Sequence, residues 1–263
     1  MEASFDKNQD LGVKVETCAK HGEFESRGMK YAMMRREIWT TCQQCQSERE
    51  EADRRFEAEA KAAKLRDRLD TMMLNSRLPE RLRDCTFANY IAQTDPMKDA
   101  LQTAMDYAEN FAEVRKVGES LIFAGKPGTG KGHLAASIMN KLMPDYLPVY
   151  TTCLDMIRSV RETWRKDSRH SELEVLNEYE GAALLVIDEI GVQYGTDGEQ
   201  TIIFDVLDRR YRRMRPTILI TNQDRAGFAG FIGERTFDRL RQTAKWVSFD
   251  WASYRPTARK AQA

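Results

Sequence analysis

Residues 121–135 read LIFAGKPGTGKGHLA. An apolar stretch typical of a buried strand runs into a glycine-rich loop, and a helical pattern begins at the lysine that ends the loop. Glycines let the backbone N–H groups of such a loop point inward at phosphate oxygens, and the lysine ammonium reaches the β- and γ-phosphates. We therefore predict a nucleotide-binding phosphate loop. It comprises Gly125, Lys126, Pro127, Gly128, Thr129, Gly130, Lys131, Gly132 and His133.

A strand that ends in acidic residues supplies the second part of the predicted site. Residues 184–189 read LLVIDE, and four apolar residues place Asp188 at the carboxyl end of a buried strand. In sites built on a phosphate loop, an aspartate at this place holds Mg²⁺ through water. Glu189 is predicted to polarise the attacking water. The alternative is a buried strand that ends in two acids by chance.

A third strand, residues 218–222 (ILITN), ends in an amide side chain. In additional-strand phosphate-loop ATPases this strand lies between the other two, and its terminal polar residue contacts the γ-phosphate or the attacking water. We predict this sensor role for Asn222. The alternative is that Asn222 caps a turn after the strand, a position that asparagine favours.

Alternating apolar strands and helical patterns after residue 90 predict an α/β fold with a mainly parallel, five-stranded sheet. The expected strands are Leu121–Ala124, Val149–Thr152, Leu184–Ile187, Thr217–Thr221 and Trp246–Phe249. The expected helices are Pro96–Arg115, Gly132–Met143, Leu154–Trp164, Ser171–Tyr179, Gln200–Arg213 and Arg235–Gln242.

Composition argues against a membrane-spanning protein and against a secreted one. Of 263 residues, 41 are Lys or Arg and 41 are Asp or Glu, so net charge gives no indication of a nucleic-acid partner. Apolar runs reach only about five to seven residues, far short of the roughly 20 that span a membrane. The polar start, MEASFDKNQD, lacks a signal-peptide core. We expect a cytoplasmic protein without membrane association.

Four residues near the N-terminus have the spacing of a zinc site. Cys18, His21, Cys42 and Cys45 form two knuckles, C-x₂-H and C-x₂-C, which suit tetrahedral Zn²⁺. The alternatives are a reduced, unliganded set of cysteines, or another ligand in place of His21. We predict a structural zinc-ribbon-like module over residues 1–45. A long, highly charged helix over 46–76 and an ATPase domain over 77–263 follow it.

Five motifs in this order give the chain a resemblance to a known family: GKPGTGKGHLA, LLVIDEIG, TILITN, GERTFDRL and SYRP. Over residues 78–256 the chain resembles the DnaC-type AAA+ helicase loaders of bacteria and their phages. The resemblance implies ATP or ADP with Mg²⁺, an arginine finger at Arg239 with Arg235 as its neighbour, and a sensor-2 arginine at Arg255. It also implies loading of a hexameric replicative DNA helicase onto single-stranded DNA in replication initiation, with ATP-dependent self-association around the helicase.

Two other functions remain open. One is an IstB-type transposition helper, whose ATPase core is similar. The other is a regulator that uses nucleotide as a switch with little hydrolysis. GERTFDRL and the N-terminal module favour the loader, whereas Gly132 favours the regulator. The residue after the lysine is ordinarily Ser or Thr, whose hydroxyl binds Mg²⁺. We expect that glycine there permits nucleotide binding but slows hydrolysis.

Two basic regions have competing interpretations. The zinc module docks the helicase, or it contacts single-stranded DNA through basic and aromatic side chains, or its basic residues form a solvated face. Those side chains are Lys14, Lys20, Arg27, Lys30, Tyr31, Arg35, Arg36 and Trp39. Residues 208–215 read DRRYRRMR. They either line a DNA groove, or contact the nucleotide of the next subunit, or form a salt-bridged helix end.

Overall fold

A computed structural model of the chain describes residues 9–31, 36–192 and 196–254. The chain divides into two compact units, Met1–Asp67 and Arg68–Ala263, and the division falls within helix α1 (Gln43–Asn75). The predicted assignment of separate roles to residues 1–45, 46–76 and 77–263 stays a prediction.

The first unit contains a three-stranded antiparallel sheet of β1 (Gln9–Cys18), β2 (Gly22–Tyr31) and β3 (Arg36–Trp39). Gly28 in β2 is opposite Trp39, and a Cβ at Gly28 would lie 2.8 Å from the indole ring, so only glycine allows this packing. Cys18 and His21 of the first knuckle lie at the end of β1 and in the turn that follows it. Cys42 and Cys45 of the second knuckle lie just before α1 and in its first turn.

Helix α1 is highly charged, and none of its residues is buried. Glu51 and Arg55, four residues apart on this helix, form an ion pair at 2.6 Å. Among the helices of the described ranges, this one included, none combines the length and the apolar composition that crossing a bilayer requires.

The second unit has a five-stranded sheet in which all neighbouring strands are parallel, as predicted. The strands are β4 (Ser120–Gly125), β5 (Pro148–Thr152), β6 (Leu184–Ile190), β7 (Thr217–Thr221) and β8 (Ala244–Phe249). Their spatial order is β5-β6-β7-β4-β8. The strand that ends before Asn222 thus lies between the phosphate-loop strand and the Asp188 strand, which confirms the predicted order.

Helices cover both faces of this sheet. After two short 3₁₀ helices (Glu80–Leu82 and Phe87–Asn89) the helices are α2 (Asp95–Glu109), α3 (Phe111–Val117), α4 (Lys131–Leu142), α5 (Cys153–Glu162), α6 (Glu172–Gly181), α7 (Asp197–Arg212), α8 (Arg225–Ile232) and α9 (Glu234–Thr243). Alternate residues of β4 enter two separate apolar cores, Leu121 and Phe123 on one face and Ile122 and Ala124 on the other. Burial on both faces explains why the strands read as continuous apolar runs.

The predicted helices differ from the structure in two places. The helix expected over 96–115 is broken at Asn110 into α2 and α3. Helix α8 was not predicted, because Gly227 and Gly230 lower the helical propensity of its sequence. The Asp224 side chain caps α8 by accepting a hydrogen bond from the Gly227 N–H at 2.8 Å, and buried Phe228 and Ile232 anchor it to the core.

Candidate functional site

The phosphate loop joins the end of β4 to the start of α4, and its glycines have conformations that other residues rarely adopt. Gly125 has φ 141°, and a Cβ there would lie 2.3 Å from the Phe249 carbonyl oxygen. Gly130 has φ 94°, and a Cβ there would lie 2.7 Å from the Tyr90 ring. These contacts hold the loop in a tight curl whose backbone N–H groups suit an anion.

The Lys131 ammonium lies inside this curl. It donates hydrogen bonds to the carbonyl oxygens of Gly125 at 2.6 Å and Lys126 at 2.7 Å, and the side chain is buried. The Thr129 hydroxyl closes the loop by donating to the same Lys126 carbonyl at 2.8 Å. A buried cation at the N-terminus of a 12-residue helix fits the phosphate groups of a nucleotide.

Gly132 faces Asp188. A Cβ built at Gly132 would lie 4.0 Å from Asp188 Oδ2 and 3.8 Å from Leu82 Cδ1, which are ordinary van der Waals distances. The structure therefore brings the second residue of α4 and the end of β6 together, as the sequence predicts. Carboxylate oxygen with room for water suits Mg²⁺, which retains several waters when bound.

Two donors orient the Asp188 carboxylate. The Tyr150 hydroxyl donates to Oδ2 at 2.5 Å, and the Glu189 backbone N–H donates to Oδ1 at 2.6 Å. Glu189 is exposed and has φ 59°, a left-handed conformation that costs energy for a residue with a side chain. Strain of this kind at the acidic end of a strand is typical of a functional site.

Asn222 lies at the same edge of the sheet. It follows Thr221, which pairs with Ala124 of β4 and Ile190 of β6. Thr221 accepts a hydrogen bond from the Gln223 N–H, and Asp224 caps α8, so neighbours of Asn222 make the turn contacts. This arrangement favours the sensor interpretation over the capping one.

Arg239 does not join this group. Its guanidinium forms an ion pair with Asp208 and lies over the rings of Phe204 at 5.3 Å and Tyr211 at 5.4 Å. It lines a small cavity beside the first residues of β4 and β7, whereas the phosphate loop follows the carboxyl end of β4. Arg239 therefore lies near the amino ends of the strands, whereas its own phosphate loop lies at their carboxyl ends. Arg255 lies outside the described residues.

The basic stretch 208–215 is engaged within the fold. Arg210 is fully buried and donates to the Thr217 hydroxyl and to four carbonyl oxygens, including those of Tyr179 and Pro216. Arg212 pairs with Asp208 at 2.8 Å. Arg209 and Arg213 each pair with Glu180, at 3.7 and 3.0 Å. These contacts favour the salt-bridged helix end over a DNA groove.

The connector before α2 and the segment after β8 pack on the phosphate loop, which the sequence did not reveal. His133 Nε2 lies 3.0 Å from the Thr86 carbonyl oxygen, and the His133 ring meets the Tyr90 ring edge-to-face at 5.3 Å. From the other side, Trp251 Nε1 donates to the Thr129 carbonyl and the Tyr254 N–H to the Gly128 carbonyl, both at 2.9 Å. These contacts clamp the loop from two sides.

The predicted zinc ligands of the first unit converge. Ligand atoms of Cys18, His21, Cys42 and Cys45 all lie within 4.8 Å of one another. His21 Nδ1 is 3.7, 3.6 and 3.2 Å from the three Sγ atoms in that order, and the Cys18 and Cys45 sulfurs are 3.4 Å apart. Zn–S bonds of about 2.3 Å and Zn–N bonds of about 2.0–2.1 Å put tetrahedral ligand atoms about 3.5–3.8 Å apart. The four residues therefore fit Zn²⁺.

A carboxylate outside the ligand set orients the histidine. His21 Nε2 lies 3.2 Å from Glu48 Oε1, and Lys20 pairs with the other Glu48 oxygen at 2.5 Å. A histidine held in this way presents Nδ1 to the metal. Backbone N–H groups of Lys20 and His21 lower the pKa of the Cys18 thiol to about 6, which favours the thiolate that binds metal.

The aromatic and basic side chains of the first unit offer little support for a stacking surface. Lys14 Nζ lies 3.9 Å from the centre of the Trp39 ring, and Gly28 packs against the same side chain. Lys20 is paired with Glu48. Arg35 lies outside the described residues. These contacts weaken the DNA interpretation of the module.

Comparison with known proteins gives consistent matches. The family described as IstB-like ATP binding protein matches residues 24–262. The replicative helicase loader DnaC of Escherichia coli (strain K12) is 41% identical over 175 residues, which are 66% of this chain and 70% of that protein. DnaC of Buchnera aphidicola subsp. Schizaphis graminum (strain Sg) is 36% identical over 194 residues, which are 73% of this chain and 78% of that protein.

Among solved structures, the DnaC helicase loader superposes with a TM-score of 0.58 at 21% identity, covering 65% of this chain and 100% of that one. At this identity the match bears on the fold alone, and it confirms the predicted AAA+ architecture.

Proposed function

The chain belongs to the IstB-like family of ATP-binding proteins, and we propose that it loads a hexameric replicative DNA helicase onto single-stranded DNA in replication initiation, using ATP. The observation that carries this proposal is its 41% identity to the DnaC loader over 70% of that protein. The convergence of Lys131, Asp188 and Asn222 at one edge of the sheet supports the ATP-dependent part.

Each residue of this edge has a proposed role that follows from its position. The loop N–H groups and the Lys131 ammonium bind the β- and γ-phosphates. Asp188, fixed by its two donors, would hold hydrated Mg²⁺, and the ion would supply positive charge against the phosphates. Exposed Glu189 orients the attacking water, and Asn222 contacts the γ-phosphate.

We propose that hydrolysis requires a second copy of the chain. Arg239 is too far from its own phosphate loop to serve it, because the two lie at opposite edges of the sheet. An arginine in this place can stabilise transition-state charge only on the nucleotide of a neighbouring subunit. The proposal therefore includes ATP-dependent self-association around the helicase, with Arg255 as the sensor-2 arginine.

Gly132 makes the proposed ATPase slow. No hydroxyl is available from this residue, so water must fill the metal-facing position that Ser or Thr ordinarily occupies. Nucleotide binding depends on the loop and Lys131 and is retained. We propose that ATP acts here more as a conformational switch than as a fuel.

The zinc module is proposed to be structural and to dock the helicase. All four ligand positions are filled by side chains, which leaves no coordination site for a substrate. We expect that a single three-stranded sheet buries too little apolar surface to fold without the metal.

Co-purification with the replicative helicase of the encoding organism tests the proposal. We expect a stable complex in ATP and a weaker one with the Lys131→Ala variant or without nucleotide. Absence of any complex in ATP would contradict the loader assignment.

The family description favours a second candidate, an IstB-type transposition helper. Such a protein would bind duplex DNA and a transposase instead of a helicase, so the same co-purification distinguishes the two. A regulator without hydrolysis would show no ATP turnover with or without single-stranded DNA.

A further inference from the structure

Tyr150 is the side-chain member of the two donors that fix Asp188. It lies in β5, the strand next to β6, and pairs with Val186 while Thr152 pairs with Asp188. Tyr150 and Asp188 therefore project from the same face of the sheet. The Tyr150 side chain is 6% exposed and lies in the apolar core beneath α4.

The Tyr150 hydroxyl and the Glu189 N–H together fix the Asp188 carboxylate. Each occupies one lone pair of a different oxygen, at 2.5 and 2.6 Å. A carboxylate has about four acceptor positions, so each oxygen keeps one for a metal-bound water. Burial and the charges of Asp188 and Glu189 raise the pKa of the Tyr150 hydroxyl, so it remains a donor at neutral pH.

Gly132 makes this contact more important. The carboxylate oxygen that accepts from Tyr150 is also the one that a Cβ at Gly132 would approach, at 4.0 Å. In a loop with Ser or Thr, a hydroxyl from α4 would constrain the metal from this side. Here the hydroxyl nearest that carboxylate comes from β5.

We propose that Tyr150 is a positioning residue for the metal. Its hydroxyl orients the Asp188 carboxylate for hydrated Mg²⁺ and so replaces part of the constraint that a Ser or Thr hydroxyl at position 132 would supply. This inference rests on the proposed function, because it requires that Asp188 serve Mg²⁺-nucleotide. Tyr150 acts through Asp188 and does not itself contact nucleotide.

The test is the Mg²⁺ dependence of nucleotide binding in the full-length Tyr150→Phe variant. Fluorescent ATP is titrated in EDTA and over a range of Mg²⁺ concentrations. A lost hydrogen bond to a charged group corresponds to roughly a tenfold effect. We expect the half-saturating Mg²⁺ concentration to rise about tenfold, with affinity in EDTA unchanged within about twofold.

Tyr107→Phe is the matched control. Tyr107 is also a buried tyrosine, but its hydroxyl donates to the Glu119 carbonyl at 2.9 Å. This variant should leave the Mg²⁺ requirement unchanged. Adding Gly132→Ser to Tyr150→Phe should recover at least part of the loss, because a new hydroxyl then faces Asp188.

Three results would overturn the inference. One is an Mg²⁺ requirement of Tyr150→Phe equal to that of Tyr107→Phe. Another is an equal loss of affinity with and without Mg²⁺, which would show a purely structural role. The third is a double variant no better than Tyr150→Phe. If the wild-type protein itself binds no ATP at any Mg²⁺ concentration, the proposed function fails together with the inference. If the wild type binds ATP but one of the three results is found, only the inference about Tyr150 fails.

Discussion

Replacing Gly132 by threonine tests whether the missing hydroxyl limits hydrolysis. A side chain fits here, because a Cβ meets only Leu82 Cδ1 at 3.8 Å and Asp188 Oδ2 at 4.0 Å. One further single bond of about 1.4 Å can bring a hydroxyl oxygen into hydrogen-bonding range of that carboxylate, which is the proposed holder of Mg²⁺.

The size of the effect follows from what the hydroxyl replaces. A hydrogen bond to a charged group contributes about 1.5–3 kcal/mol, but water fills the same position in the wild type and recovers part of it. A net gain of about 1–1.5 kcal/mol in the transition state corresponds to roughly 5- to 15-fold faster turnover. Gly132→Thr should therefore raise basal ATPase activity by about this factor.

Gly132→Val separates the hydroxyl from the shape of the side chain. Valine has the branched shape of threonine and a similar helical propensity, so both variants change α4 equally. Steady-state phosphate release should be faster in Gly132→Thr than in Gly132→Val. Equal turnover in the two variants, with nucleotide binding intact, would refute the reasoning.

Three further predictions address the other parts of the account. Lys131→Ala should weaken ATP binding about 10- to 100-fold in a fluorescence titration, because a charged donor to phosphate is lost; unchanged affinity would contradict the phosphate-loop assignment. Glu48→Gln should weaken zinc binding about 10- to 100-fold in competition with a chelator, because the charged partner of the metal-binding histidine is lost. Glu51→Gln, on the same helix, should leave zinc affinity unchanged. Equal zinc affinity of the two variants would contradict a role for the Glu48 carboxylate. Arg239→Ala should keep ATP binding within about twofold but lower turnover of the assembled protein about 10³-fold or more. Mixing it with Lys131→Ala subunits should restore part of that turnover, and no restoration would exclude action in trans.

Much of the nucleotide site could be predicted because its signals are local. A glycine-rich loop, a terminal lysine and a strand ending in Asp188 are each contiguous in sequence, and parallel strands bring their carboxyl ends to one edge. The convergence of Cys18, His21, Cys42 and Cys45 was likewise predictable from knuckle spacing. Both kinds of pattern report backbone geometry that a few neighbouring residues determine.

The contacts that support these residues were missed because they depend on tertiary arrangement. Tyr150 reaches Asp188 only because β5 is the neighbour of β6 in a particular register. Trp251 reaches the Thr129 carbonyl across 122 positions of sequence. Glu48 is an intermediate case. It lies three residues after Cys45 in α1 and therefore on the same face of that helix, but the predicted helix began at residue 46 and did not include Cys45. That spacing was a signal that the sequence contained.

The position of Arg239 relative to its own phosphate loop could not be predicted from its motif. Its motif indicated an arginine finger, but the structure pairs it with Asp208 at the edge of the sheet away from the phosphate loop. The proposed finger role would require a second copy of the chain, and no local sequence pattern encodes the geometry of such an assembly.

Helicase loading on circular single-stranded DNA tests the central claim most directly. The replicative helicase is incubated with the circle, ATP and this protein, and helicase that remains on the DNA after gel filtration is quantified. Because a closed circle has no ends to thread, we predict retention with the wild-type protein and background retention with Lys131→Ala or without ATP. Equal amounts of bound helicase with and without the wild-type protein would contradict the account.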